Sequence, residues 1–451
     1  MIAMNMRELL DLMSEEFPVK IIDEPLTEEE FTYIALHANV ENILLFNNIK
    51  GKNMPILTNI LNSREKIKFL LGVKSDHELY SKILYACKNP SKNKVDRFES
   101  APFSRNNIGK NLSKLPILKF FPKDPGPYIT SGIVIAKGPK SGVYNASIHR
   151  LLVIGEDKMT IRIVPRHLWR LYREAAELGV PLKVSIVIGT HPLVLLAAAS
   201  SPPFGVNELE VANTLLKGRL DLVKVPYSNI LVPKFSEIVI EGEILHEEAL
   251  EGPFVDATGT YDIKRLQPIV KVNAIWVSPN AIYYTIVPSS EEHLILMGLY
   301  KEAIIWDYVR KIAPVKKVRL TRGGCRWLHV AISIKKLSEG DAKNVIMAAF
   351  SAHPSLKHVI VVDEDIDIDN PYEIEWAIAT RFQATKDLVI IPRARGSSLD
   401  PSADQENMLT DKVGIDATKP IKAKEKSFNR VKLKPSPKCV EILKNLERLS
   451  V

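Results

Sequence analysis

Residues 184–207 read VSIVIGTHPLVLLAAASSPPFGVN and contain no formally charged side chain. By length this stretch could cross a bilayer, for which about 20 apolar residues suffice. Its interruptions argue otherwise: Gly189, His191 and Pro192 break it early, and Ser200, Ser201, Pro202 and Pro203 break it again. A buried strand, a turn and a short buried helix account for it better than a membrane span. With that reading the chain becomes a globular protein with no membrane span, and its neighbours fall into place. From about Pro116 to Val287 strand-like segments rich in Val and Ile dominate: 129–136, 159–164, 182–188, 220–225, 237–244, 269–277 and 281–287. Helical patterns at 168–178 and 209–217 interrupt them. Many strands with few helices predict a barrel or a curved sheet.

The flanks differ. Amphipathic patterns predict helices over 6–17, 63–71 and 76–87, and the polar stretch 88–110 marks a domain boundary. A helix over 290–312 starts at Ser290, a good N-cap, with acids in its first turn and Arg310 and Lys311 in its last. Its length suits a linker. Beyond it, strands at 328–334, 358–363 and 388–391 alternate with helices at 341–352 and 371–380, an α/β layer. The lysine-rich stretch 412–438 reads as a mobile or surface-hugging tail. The fold class expected is therefore α+β and multidomain: an N-terminal α/β domain (1–112), a central β domain (113–289), a linker helix (290–313) and a C-terminal α/β domain with a basic tail (314–451).

At 451 residues the chain is long enough for more than one core. Hydrophobic residues are 46% and charged residues 25%, which excludes disorder as the default. The net charge of +8 suits an anionic ligand, and equally nucleic acid or a membrane surface. The tail carries Phe428 as its one aromatic, so the stacking platform of a single-strand binder is missing. Cys87, Cys325 and Cys439 are too scattered for a disulfide framework, and the N-terminus has no apolar signal core. A reducing, cytoplasmic setting is expected. The run Asp363–Asp369 resembles the start of a calcium loop, but Asn370 stands where glycine is needed and Trp376 where the final glutamate belongs. It reads as the acidic end of a strand.

Four segments of the β region can carry chemistry. Asn145-Ala146-Ser147-Ile148-His149-Arg150 is either a turn with a basic surface or a ligand-contacting strand entry, with Arg150 able to fork a carboxylate. Pro165-Arg166-His167 opens a helix, a place that favours anions, although a lone histidine is more often structural. The loop Ser200-Ser201-Pro202-Pro203-Phe204-Gly205 before an acidic helix start is either a capped loop or a close approach to phosphate. Glu251-Gly252-Pro253-Phe254-Val255-Asp256 places two carboxylates around an apolar turn. They are solvated acids on a surface, or an acid–base pair separated by environment.

Taken in order, these segments resemble the UbiD-like, prenylated-FMN-dependent decarboxylases. Asn145 to Arg150 matches the family's Asn-x-Ser-Ile-x-Arg element, and Glu251 to Asp256, followed by Gly259 and Tyr261, matches its Glu-Gly-Pro element. Gly324-Cys325, Trp376 to Arg381 and Gly414 to Thr418 are similar to further signatures, so the resemblance covers about 110–420. It implies a central split β-barrel that binds the flavin and a C-terminal domain that mediates homodimers or larger assemblies. It implies Asn145, His167 and Glu208 as ligands of a divalent cation, Mn2+ or Mg2+, with Glu210 as the alternative to Glu208 and K+ nearby. Ser147, Ile148, His149, Arg150, Arg166, His167, Ser200 and Lys343 would contact the prenylated FMN. Arg150, Glu251 and Asp256 would form the catalytic network, with Arg150 holding the substrate carboxylate and Asp256 returning a proton. A flavin prenyltransferase would supply the cofactor, and no nucleic-acid partner is expected.

Three departures bear on the substrate. His149 stands where relatives often have Ala or Tyr, Val255 where Gly is common, and Val287 to Glu292 lacks the Gly-Arg of the quinone-pathway enzymes. The sequence is most similar to the archaeal branch that includes the anhydromevalonate phosphate decarboxylases. The expected substrate is a small α,β-unsaturated acid carrying phosphate, with His149 and Arg166 as its cationic contacts. The alternatives are a 4-hydroxybenzoate-type decarboxylase of quinone synthesis, an ordinary FMN oxidoreductase on a similar barrel, and a basic nucleic-acid-binding or scaffold protein.

Overall fold

The structure is a computed structural model that describes residues 5–422, 428, 431 and 433–448. The stretch that could have been a membrane span is the strand Leu182–Ile188, a turn, and the helix Pro192–Ala199, almost wholly buried. Among the described residues no helix is long and apolar enough to cross a membrane. His191 begins the short helix by accepting the Leu193 N–H on Nδ1 at 3.1 Å. Burial pushes its pKa down to about 4, which keeps that nitrogen free to accept.

Leu182–Ile188 belongs to an eight-stranded sheet, antiparallel at every pairing. Its order is Tyr128–Ile129, Leu151–Val153, Lys158–Ile161, Arg265–Val277, Ile238–Glu251, Leu182–Ile188, Ile133–Lys137 and Tyr144–Ile148. Tyr144–Ile148 forms one edge, yet the next strand in sequence, Leu151–Val153, lies one place in from the other edge. The link from Ile148 to Leu151 can span at most about 10 Å. The sheet must therefore curl until its two ends meet, which makes it a split barrel with His149 and Arg150 at the seam. The two longest strands, Ile238–Glu251 and Arg265–Val277, pair through two irregularities, at Glu241/Gly242 and Ile244/Glu248. A Cβ on Gly242 would collide with the carbonyl of Lys271, so this close crossing requires glycine. At the far end Glu251 pairs with Arg265, and the hairpin tip beyond carries the small ladder of Phe254–Val255 with Tyr261–Asp262.

The N-terminal sheet runs Val19–Ile22, Ile43–Phe46, Ile56–Thr58, and takes Tyr283–Tyr284 from the barrel region as its last strand. The C-terminal sheet runs Val315–Leu320, His329–Ile334, His358–Asp363, Leu409–Ala417 and Leu388–Arg395. The expected tail is thus corrected over 412–417. Val413, Ile415 and Ala417 alternate along a strand between two others, and buried Lys412 donates to the carbonyl of Leu356 at 2.7 Å. Residues 423–427, 429–430 and 432 of that expected tail lie outside the described residues. The acidic run after His358–Asp363 is consumed by cations: Arg381 pairs with Asp363 and Asp365, and Arg319 and Lys317 pair with Asp369.

The linker helix is Glu291–Val309, capped by Ser290. Two buried carboxylates on it tie the molecule together. Glu292 accepts the N–H groups of Asn59 and Leu61 and the hydroxyl of Tyr284. Glu302 accepts the Leu320 N–H and the Tyr80 hydroxyl, both at 2.8 Å, and pairs with Arg64. Gly298 lets this helix lie against the turn before His329–Ile334, because a Cβ there would strike the carbonyl of Arg326. Gly298→Ala should therefore lower stability by about 1–3 kcal/mol, seen as an earlier midpoint in chemical denaturation, whereas an unchanged midpoint would mean that the turn yields freely.

Candidate active site

The seam of the barrel brings the first and fourth chemical segments together. Arg150 donates from Nε to Glu251 Oε1 at 2.9 Å and from Nη2 to Glu251 Oε2 at 2.8 Å. Nη1 reaches Asp256 Oδ2 at 3.0 Å, and Nη2 also reaches Asp262 Oδ2 at 2.9 Å. The guanidinium lies over the Phe254 ring, 4.5 Å from its centroid. Burial alone would pull its pKa down, but Glu251, and after it Asp256 and Asp262, more than reverse this, so Arg150 is fixed as a cation. The two predicted acids differ in setting. Glu251 is fully buried and also accepts the Tyr128 hydroxyl at 3.1 Å, whereas 19% of the Asp256 side chain is exposed.

One sequence expectation changes here. A guanidinium has five N–H donors. Its forked face is already spent on Glu251, and the remaining bonds leave a single N–H, on Nη1, next to Asp256. Arg150 can offer a further carboxylate one hydrogen bond beside Asp256, not a free fork.

The second group forms around Glu208, the first residue of helix Glu208–Leu215. Its Oε1 accepts from Asn145 Nδ2 at 3.0 Å and lies 3.7 Å from His167 Nδ1, while Oε2 accepts the Ala146 N–H at 2.8 Å. Glu210 turns away to Lys92 at 2.7 Å. Among the described residues no Lys or Arg pairs with Glu208, although it is 2% exposed. A buried carboxylate without a cation is costly, so this spot fits a metal ion. The donors, an amide oxygen, an imidazole and a carboxylate, suit a fairly hard ion. Among the described residues no cluster of three His, Cys, Asp or Glu side chains offers an alternative.

His149 prepares that site rather than facing a ligand. Its Nδ1 lies 2.8 Å from the carbonyl of Arg162, which makes that nitrogen the N–H, and its Nε2 lies 2.8 Å from Ser147 Oγ. Burial lowers its pKa to about 4, so the ring is neutral and Nε2 accepts. The Ser147 hydroxyl has one proton; given to His149, it leaves Asn145 Oδ1, 3.0 Å from Ser147 Oγ, with a free lone pair. The expectation of a cationic contact at His149 is corrected accordingly: both ring nitrogens are taken within the protein.

Arg166 caps helix His167–Glu177, beside His167. Burial and then the nearby Arg395 guanidinium lower its pKa. Lys301 of the linker helix feels Arg166 in turn, and burial together with that charge brings it down to about 8. No carboxylate pairs with any of these three among the described residues. Ser200 follows helix Pro192–Ala199, its hydroxyl turned to the carbonyl of Ala197 at 2.5 Å. Ile148 ends its strand at the seam, half-buried. Lys343 stands exposed on helix Asp341–Ala352, its side chain without an ion pair or hydrogen bond among the described residues, and no contact joins it to this group. The sequence reading missed Tyr128, Asp262, His293, Lys301 and Arg395. His293 accepts the Ser289 N–H on Nδ1 at 3.0 Å. Burial, more than the opposing charge of Asp256, holds its pKa down. No local motif marks any of these residues; only the spacing of Asp262 and Arg265, which pair at 2.9 Å, was a visible signal.

Three domain models match the chain in succession: the 3-octaprenyl-4-hydroxybenzoate carboxy-lyase N-terminal domain (residues 10–86), Rift-related domain (94–291) and C-terminal domain (294–417). The anhydromevalonate phosphate decarboxylase of Methanothermobacter thermautotrophicus is 45% identical over 432 residues, covering 94% of this chain and 99% of that enzyme. The UbiD-class enzyme HmfF from Pelotomaculum thermopropionicum, solved with FMN, superposes with a TM-score of 0.92 at 38% identity, over 98% of this chain and 99% of that one. An evolved dimeric form of HmfF with prFMN gives 0.88 at 37% identity, over 96% and 97%.

Removing Glu251 would strand the buried guanidinium of its forked partner. Glu251→Leu should cost about 3–5 kcal/mol in chemical denaturation. A loss within about 1 kcal/mol, the range of exposed pairs, would mean that Asp256 and Asp262 suffice to hold Arg150.

Proposed function

Because the chain belongs to the UbiD family of carboxy-lyases, we propose that its substrate is trans-anhydromevalonate 5-phosphate and its product isopentenyl phosphate. It is a decarboxylase of the prenylated-FMN class. The observation that carries the site assignment is Arg150, forked onto buried Glu251 while its one spare N–H lies beside the part-exposed Asp256.

When bound, prenylated FMN supplies the electron sink that takes up the pair left behind by carbon dioxide. The chain's own residues do the rest. The spare Nη1–H of Arg150 holds the substrate carboxylate at the edge of the guanidinium that Asp256 shares. Glu251, pinned by Arg150 and Tyr128, keeps that edge in place. Asp256 delivers the proton that replaces the carboxyl group and, being reached by solvent, recovers one between turnovers. His293, held by the Ser289 N–H on Nδ1, lies within the field of Asp256 and Arg150. Asn145, His167 and Glu208 would hold Mn2+ or Mg2+, with K+ nearby, against the flavin phosphate. Arg166, Lys301 and Arg395 supply the remaining positive charge there, and Ser147, Ile148 and Ser200 line the approach. Lys343, exposed and distant from these contacts, is replaced in this scheme by Lys301. A flavin prenyltransferase would supply the cofactor in the cytoplasm, and the dimeric form of the HmfF relative supports a homo-oligomer.

The substrate is tested by competition between the phosphorylated acid and its dephosphorylated form, with carbon dioxide release as the readout. Equal kcat/KM for both, or activity confined to a prenylated 4-hydroxybenzoate, would overturn that choice. Asp256→Asn should keep flavin and lose turnover at least a hundredfold, the lower end of what a positioned proton donor contributes (about 10²–10⁴); turnover like wild type would require another donor. His167→Ala should lose metal and flavin together while circular dichroism stays unchanged, since a bridging ion stabilises the loaded state by linkage; full metal content would argue against this site.

A further inference from the structure

We propose that Arg162 is the specificity-determining contact for the phosphate of the substrate, an inference that rests on the phosphorylated-acid reading above. Arg162 follows strand Lys158–Ile161, and continuing the Leu151–Ile161 register by one step sets it opposite Arg150. The pairing is real: the Arg162 N–H donates to the Arg150 carbonyl at 3.3 Å, and the Arg162 carbonyl accepts from His149. Residues opposed in this way present their side chains on one face of the sheet. The half-buried Arg162 thus stands beside the reacting guanidinium.

Its guanidinium has no hydrogen bond and no ion pair among the described residues. Every nearby carboxylate is already engaged: Glu251 and Asp256 by Arg150, and Asp262 by Arg150 and by Arg265 at 2.9 Å. Burial lowers the Arg162 pKa, and the Arg265 and Arg150 charges add to this, with Asp262 and Glu251 opposing. A half-buried cation facing other cations and lacking a partner is a poor choice for stability alone. It becomes favourable when an anion arrives. The substrate brings two. Its carboxylate takes the spare N–H of Arg150, and its phosphate, chemically the match for a planar guanidinium fork, needs a second cation. His149 is neutral and fully bonded, and Arg166 lies with Lys301 and Arg395 on the metal side. Arg162 is the cation that remains on the acid side of the seam.

The test compares kcat/KM for the phosphorylated acid and for its dephosphorylated form in wild type, Arg162→Gln and Arg162→Lys, each checked for flavin occupancy. A charge-assisted contact is worth roughly 10- to 100-fold. The ratio of the two kcat/KM values should fall by that factor in Arg162→Gln, through KM for the phosphorylated acid, and recover in part in Arg162→Lys, with flavin content as in wild type. A structural role would depress both substrates alike and leave the ratio where it was, which would overturn the proposal while the substrate reading stands. A wild type that shows no preference for the phosphorylated acid would overturn the substrate reading itself, and the role of Arg162 with it. If Arg162→Gln fails to fold, the ratio in Arg162→Lys decides: a preference undiminished when the planar fork is gone and rising salt has no effect on it would also count against Arg162.

Discussion

The Arg150 guanidinium sits where the two ends of the barrel meet, 9% exposed, and three carboxylates from one hairpin converge on it. Taking such a charge out of water costs several kcal/mol, and well-packed apolar residues would serve stability as well or better. The seam nevertheless carries it, and much of the central fold follows from that. The irregular pairing of Ile238–Glu251 with Arg265–Val277 brings the hairpin tip over the seam. Phe254 covers one face of the guanidinium, and Tyr128, from the strand at the sheet's edge, completes the shell around Glu251. The arrangement makes sense as a fixed positive charge with a single open donor, aimed beside an acid that water can still reach.

The same short segment carries both halves of the site. Asn145 and Arg150 are five residues apart on a nearly extended chain, so at most roughly 17 Å separates them. One end is a carboxylate–amide–imidazole group that needs a cation, and the other is the acid network. A cofactor with a phosphate at one end and a reactive ring at the other fits that distance. His149 lies between, and its neutral ring links the two by bonding at once to Ser147 and to the carbonyl of Arg162.

Much of this was legible beforehand. The strand Leu182–Ile188, the helix Asp341–Ala352 and the strand His358–Asp363 are found where the residue patterns place them, because each is bounded by strong breakers and buried on the expected face. Tyr144–Ile148 was harder: its polar residues serve a site inside the curled sheet, so apolar alternation is absent. Leu409–Ala417 was hidden because it runs into a lysine-rich stretch; its own lysine, Lys412, buries its stem and bonds backbone carbonyls. Glu208 and Glu210 look alike in the sequence; in the fold Glu208 lies beside Asn145 and His167, whereas Glu210 pairs with Lys92. Lys301, Arg395 and Arg162 carry no local signature at all. What marks them is that, among the described residues, no acid pairs with them, a property of the assembled fold and not of any sequence window.

The linker helix joins these observations. It is anchored to the N-terminal region through Glu292 and to the C-terminal sheet through Glu302, so its position is tied at both ends. His293, one residue after the first anchor, feels Asp256, and Lys301, one residue before the second, feels Arg166. Eight residues of helix separate them, about 12 Å of rise. The helix thus holds His293 within the field of Asp256 and Lys301 within that of Arg166. Because its anchors are buried carboxylates bonded to backbone N–H groups of other elements, it cannot slide along its axis without leaving them unsatisfied.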